Sequence, residues 1–304
     1  MVMNLDLGAP IAMAKLALAT QKAVASCDAV DGLTDGLIDD PRKCLYSPSA
    51  DTTVTSATCT TADTTCLTSA EAMAIEKIWG GARTTTGTLL WPGLEPGADL
   101  NGLAGAMPFP IATEQPKYWV YFDPTWDWKT LTYQNYGAFF DKTVQLVGPV
   151  IATDNPDLSG FAARGGKLLL FHGWADPLIM PEGTTRYFEA VVRTLGTSAD
   201  EFAKLFMVPG MAHCSGGPGP NRFGLAPVGQ GDPTDPEHNI FRALMAWSER
   251  DVEPQKIIAT KYTGDVPAMG VVRTRPLCSY PTVARYKGSG SIDDAANFSC
   301  VTAR

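Results

Sequence analysis

The segment from Ile11 to Ser26, IAMAKLALATQKAVAS, mixes Ala, Leu and Lys without Gly or Pro and predicts a helix that stops at Cys27-Asp28. A second helix is predicted to open at Thr68, where Thr68-Ser-Ala-Glu71 has capping-box spacing ahead of AMAIEKIW, and to end at Gly80-Gly81. From Thr84 to about Asp157 the chain is dense in Pro, Gly and aromatics and keeps no steady period. Trp91, Trp119, Trp126 and Trp128 crowd there with several Tyr and Phe residues, which reads as a loop-rich subdomain pinned by buried rings, some of which could instead face a ligand. After Asp157 the character changes. Lys167–Phe171 and Lys204–Val208 are short apolar runs of the kind that form buried parallel strands. Between them Pro181–Leu195 reads as a helix with Gly196 as its C′ residue, so the default expectation is a βαβ unit. Asn239–Arg250 is a further amphipathic helix, and Ile257–Tyr262 and Val271–Arg275 are weaker strand candidates.

Length and charge narrow the function classes. A chain of 304 residues, 45% hydrophobic and 18% charged, can bury the core of one or two domains and is neither disordered nor collagen-like. Its net charge is -8, from 24 Lys and Arg against 32 Asp and Glu, with no basic run, which argues against a nucleic-acid partner. No stretch approaches the roughly 18 to 20 consecutive apolar residues of a spanning helix, so no membrane partner is expected. The first residues, Met-Val-Met-Asn-Leu-Asp, lack the basic start and apolar core of an export signal.

The seven cysteines point the other way. Cys27 and Cys44, Cys59 and Cys66, and Cys278 and Cys300 form apparent pairs close in sequence, and Cys214 is left over. With no C-x-x-C spacing and three histidines, disulfides fit better than a zinc site and imply an oxidising compartment; free cytosolic thiols are the alternative.

Two loops leave the ends of the predicted parallel strands, where open α/β sheets place their ligands: His172-Gly-Trp-Ala-Asp176-Pro177 and Pro209-Gly-Met-Ala-His213-Cys214. An acid after one strand and a histidine after the next match the last two members of a Ser…Asp…His triad, in which the carboxylate orients the imidazole and the imidazole takes the serine proton. No serine of the chain lies in a G-x-S-x-G elbow: Ser198 follows a helix, and Ser215 lies too close along the chain to His213. His172 and His238 read as structural, and Trp174 as a core residue or a platform for an aromatic group.

Together, FHGWADPLI (171–179), PGMAHCSGG (209–217), CDAVDGLTDGLIDDPRKC (27–44) and TRPLCSYPTVARYKGSGSIDDAANFSC (274–300) resemble the tannase and feruloyl esterase family, which also includes mono(hydroxyethyl) terephthalate hydrolase. The resemblance runs in the family's order over nearly the whole chain. It implies an α/β-hydrolase fold, here incomplete, with a large loop-rich lid stabilised by calcium: a lid domain over 1–157, carrying the calcium loop 28–40, and the C-terminal part of the catalytic domain over 158–304. Asp176 is then the triad acid and His213 the base. Cys214 takes the place of a cysteine that, in the family, is bridged to one just before the catalytic serine.

The serine elbow is expected upstream of Met1, together with the signal peptide of a secreted or periplasmic enzyme, so the chain alone is expected to be inactive. The expected substrate is a small aromatic ester: feruloyl, galloyl or a terephthalate monoester. Alternatives are a non-catalytic lobe that binds phenolic compounds and one half of a split esterase. A sheet lacking strands would associate through its exposed edges or with the serine-bearing half.

Read from its residues, the Asp-Gly-rich stretch after Cys27 is either plain turns or an oxygen-only shell suited to Ca²⁺. The family resemblance implies a structural Ca²⁺ held by Asp28, Asp31 and Asp35 and by the carbonyls of Leu33 and Leu37.

Overall fold

The computed structural model describes residues 1–103, 107–224 and 234–302. In chain order its main elements are α1 (Val2–Asp6), α2 (Met13–Cys27), α3 (Ser69–Trp79), β1 (Ala82–Arg83), β2 (Leu89–Trp91), α4 (Pro110–Gln115), α5 (Tyr136–Ile151), α6 (Ser159–Ala162), β3 (Leu168–Gly173), α7 (Pro181–Leu195), β4 (Ala203–Val208), α8 (Ile240–Arg250), β5 (Lys256–Tyr262), β6 (Val271–Cys278), β7 (Thr282–Tyr286) and β8 (Phe298–Thr302). They group into two compact units. One comprises Met1–Ala25, Leu45–Asn155 and Pro177–Gly183; the other comprises Ser26–Cys44, Pro156–Asp176 and Thr184–Arg304. Both units are discontinuous in sequence, and the acidic segment 28–40, expected in the lid, groups with the second. Contacts distant in sequence put it there: Arg273 Nη1 of β6 donates to the carbonyl of Asp35 at 3.0 Å, and Arg275 bonds the Asp35 carboxylate.

In the first unit, α2 buries Leu16, Ala19 and Ala23 at helical spacing, and Leu16 and Ala19 join Leu67, Ala72 and Ile75 of the α3 region in one apolar cluster. The capping box is formed: Thr68 Oγ1 accepts from the Glu71 amide at 3.2 Å and Glu71 Oε2 accepts from the Thr68 amide at 2.8 Å. That same Oε2 also accepts from the fully buried Lys15 Nζ at 2.7 Å. Helix α5 departs from the expected loops. Gly137, Gly148 and Pro149 disguise it in the sequence, and packing outweighs their propensity: Phe139 stacks on Tyr121 and Trp126, with centroids 6.2 Å from each.

In the second unit, β3 and β4 pair in parallel from Leu168↔Ala203 to Gly173↔Val208, and α7 connects them, with Gly196 just past its end at φ +65°. The expected βαβ unit is present. Strand β4 is buried along its length: Phe206 and Val208 join one apolar cluster and Leu205 and Met207 another, so both faces of the strand are covered. Antiparallel pairs β5–β6 and β7–β8 follow, and the Cys278–Cys300 disulfide joins β6 to β8. Among the described residues no helix is long and apolar enough to cross a membrane.

Candidate active site

Beyond the last strand pair the two loops remain zipped together. The Trp174 amide donates to the carbonyl of Val208 at 2.9 Å, and the Ala175 amide to that of Met211 at 3.0 Å. A side chain at Gly173 would place its Cβ 2.2 Å from the Met211 carbonyl oxygen, so only glycine admits this approach. Asp176 and His213 are thereby brought together: His213 Nδ1 lies 2.9 Å from Asp176 Oδ2. The Asp176 side chain is 3% exposed and that of His213 is 42% exposed, so the carboxylate is sheltered while the imidazole stays accessible to a reactant. A carboxylate can only accept, so Nδ1 carries the proton and Nε2 keeps the lone pair that a general base needs.

The loop that carries His213 is closed on itself. The Ala212 amide donates to the Gly216 carbonyl at 3.2 Å, the Gly219 amide to that of Gly210 at 3.1 Å, and Lys261 Nζ to that of Gly217 at 2.6 Å. Gly210 has φ +68°, and a Cβ there would meet Leu37 of the acidic loop at 2.7 Å. The segment closed by Cys27 and Cys44 also reaches the loop that carries Asp176, since the Arg42 guanidinium lies 4.9 Å over the ring of Trp174. Trp174 is buried, and that cation faces its ring.

His172, read from sequence as structural, belongs to this group. Its Nε2 lies 3.1 Å from the same Asp176 Oδ2, and its Nδ1 lies 2.7 Å from Thr184 Oγ1. The signal in the sequence was the spacing of His172 and Asp176 across one turn of chain. His238 pairs with Asp235 at the surface, with Nδ1 and Oδ1 2.8 Å apart.

The acidic loop is tied at both ends by the Cys27–Cys44 disulfide, and Cys59–Cys66 and Cys278–Cys300 also form; Cys214 is free and exposed. Asp28 accepts from the amides of Asp35 and Gly36, both at 2.9 Å, and Asp31 from that of Leu33 at 2.9 Å. Asp35 accepts from the Leu37 amide at 3.2 Å and faces both Arg273 and Arg275. Burial raises the Asp35 carboxyl above its ordinary range in spite of the arginines. Asp39, absent from the expected ligand set, is pushed well above that range by burial and by the adjacent Asp31, to which it is hydrogen-bonded. The carboxylates and carbonyls of the loop form an all-oxygen donor set, the kind a hard divalent cation prefers. The donors of the expected set are on one loop, but as folded they turn to amides and arginines. Among the described residues, a carboxylate oxygen of Asp63 and the sulfurs of Cys59 and Cys66 lie within 4.8 Å of one another, where the disulfide removes the thiolates a metal would need.

In the first unit a cavity of about 790 Å³ is lined by apolar and aromatic side chains, among them Ile78, Trp91, Leu94, Trp128, Tyr136 and Phe140.

The family model described as Tannase and feruloyl esterase matches residues 2–301. The chain belongs to the tannase and feruloyl esterase family. It is 34% identical to an uncharacterized esterase of Xanthomonas campestris pv. campestris, over 96% of this chain and 55% of that protein. It is 33% identical to a probable feruloyl esterase B-1 of Aspergillus flavus, over 90% and 52%. The crystal structure of feruloyl esterase B from Aspergillus oryzae superposes with a TM-score of 0.85 at 29% identity, over 97% of this chain and 59% of that one. The fold of this tannase-family chain is thus that of known esterases. It spans about half the length of the curated relatives it matches.

Proposed function

We propose that this chain supplies the acid–base half of a serine carboxylic-ester hydrolase acting on esters of aromatic phenolic acids. The Asp176–His213 pair carries this reading: a buried carboxylate 2.9 Å from an accessible imidazole, in a tannase-family chain. A serine outside this sequence would attack the ester carbonyl and pass its proton to His213 Nε2. The imidazolium would then protonate the departing alkoxide and release the alcohol. Water, deprotonated by the same nitrogen, would cleave the acyl-serine and release the aromatic acid, returning the proton to the serine. Asp176 holds the Nδ1–H tautomer and balances the transient positive charge. Strand β3 bonds only β4 among the described residues, which offers an edge along which a serine-bearing portion could add. The chain alone should form no covalent adduct with a fluorophosphonate, read by intact mass; stoichiometric labelling would place a reactive serine within it.

The acidic loop would hold Ca²⁺ through the carboxylates of Asp28, Asp31 and Asp35 and the carbonyls of Leu33 and Leu37, with Asp39 as a further neighbour. Its role would be structural, stiffening a loop that packs against Gly210 and Trp174. Without the cation, the raised carboxyls of Asp39 and Asp35 favour the fold while protonated. That stability is complete below the ordinary carboxylate pKa and is lost as pH rises through the higher folded-state value. The melting temperature in a chelator should therefore fall with rising pH across this window, and excess Ca²⁺ should flatten the slope. Identical melting curves with chelator and with Ca²⁺ at every pH would remove the cation from the scheme.

The cavity in the first unit favours a second reading, a lobe that binds phenolic acids without turnover, since its apolar and aromatic lining offers faces on which a phenolic ring can stack. Saturable quenching of tryptophan emission by ferulate would support it. The three disulfides support a secreted or periplasmic setting.

A further inference from the structure

Two imidazoles converge on one oxygen of Asp176. His213 Nδ1 approaches Oδ2 at 2.9 Å and His172 Nε2 approaches it at 3.1 Å. Since the ionised carboxylate has no proton to give, both facing nitrogens carry hydrogen. His172 is then the Nε2–H tautomer when neutral, and its Nδ1 accepts from the hydroxyl of Thr184 at 2.7 Å. The two histidines are held differently. His172 stands on β3, opposite Met207 of β4 in the parallel ladder, with its side chain 12% exposed, whereas His213 stands on a loop with its side chain 42% exposed. A chain of hydrogen bonds thus runs from Thr184 through His172 and Asp176 to His213, and His213 is its exposed end.

We infer that His172, locked by Thr184, is a positioning residue that fixes the carboxylate of Asp176 for His213. This rests on the reading of Asp176 and His213 as the catalytic pair. The terminal torsion of an Asp side chain is broad and weakly preferred. A donor on a strand, aimed at the oxygen that His213 uses, narrows the orientation of Oδ2, so that His213 meets an oriented acceptor and is kept as the Nδ1–H tautomer.

The test is imidazole ¹H–¹⁵N correlation spectroscopy on the full ¹⁵N-labelled chain at neutral pH. His172 should appear as the Nε2–H tautomer and His213 as the Nδ1–H tautomer. In His172→Phe, the Nδ1–H signal of His213 should give way to a tautomer mixture. In His172→Gln, whose side-chain amide can donate to Asp176, the signal should return. Thr184→Val, close in shape and chosen to keep the fold, should mix the tautomers of His172 and broaden the signal of His213. A simple packing role for His172 would move none of these nitrogen signals at His213.

Asp176→Asn separates the two levels of the reading. If it abolishes the His213 preference while His172→Phe and Thr184→Val leave that preference intact, the inference about His172 is overturned and the catalytic pair stands. If Asp176→Asn itself leaves His213 unchanged, the pair falls and the role of His172 falls with it.

Discussion

Asp176→Asn, in an ester-hydrolysing assembly that contains this chain, is expected to lower kcat by about 10⁴ with little change in KM. The cause is the proton inventory around His213. Asparagine keeps the shape of the side chain but presents an amide that can donate to Nδ1, which favours the Nε2–H tautomer and leaves no lone pair for the serine proton. The Asp176 side chain is 3% exposed and serves two imidazoles through one oxygen, so water cannot readily replace the lost acceptor. The loss amounts to roughly 5 kcal/mol of transition-state stabilisation. Methyl ferulate hydrolysis measures it, and a variant within tenfold of the parent would show that the acid lies elsewhere.

Lys15→Met should have the largest effect on stability, lowering the unfolding free energy of the first unit by roughly 3–5 kcal/mol. Lys15 is fully buried on α2, where its ammonium donates to Glu71 Oε2 at 2.7 Å and to the carbonyl of Thr60 at 2.7 Å. Methionine leaves Glu71 as a buried charge without its cation. Glu71→Gln on that background keeps the capping-box acceptor and removes the charge, so the double variant should recover most of the loss. Urea denaturation followed by far-ultraviolet circular dichroism reads both effects. A cost for the single variant below about 1 kcal/mol would mean that water reaches Glu71 once the lysine is gone.

The site was legible where local pattern and tertiary structure agree. The apolar runs that became β3 and β4, with the helix between them, were enough to place Asp176 and His213 at neighbouring strand ends. The cysteine pairs were legible because their partners lie within a few turns of chain. His172 was passed over because a histidine at a strand end resembles a core residue until the side chain opposite it is known. The assignment of the acidic loop to the second unit rests on Arg273 and Arg275, more than two hundred residues away, which no local pattern reveals. Helix α5 was hidden by Gly137, Gly148 and Pro149, since stacking on Tyr121 and Trp126 does not register in propensity. The β7–β8 pair was hidden by the irregular chain between its strands.

The most direct measurement is methyl ferulate hydrolysis by this chain mixed with the portion of Aspergillus oryzae feruloyl esterase B that it does not cover. Turnover should appear only in the mixture and should fall to background when His213 is replaced by alanine. Turnover that persists with His213→Ala, in an assembly that still forms, would show that this chain does not provide the catalytic base.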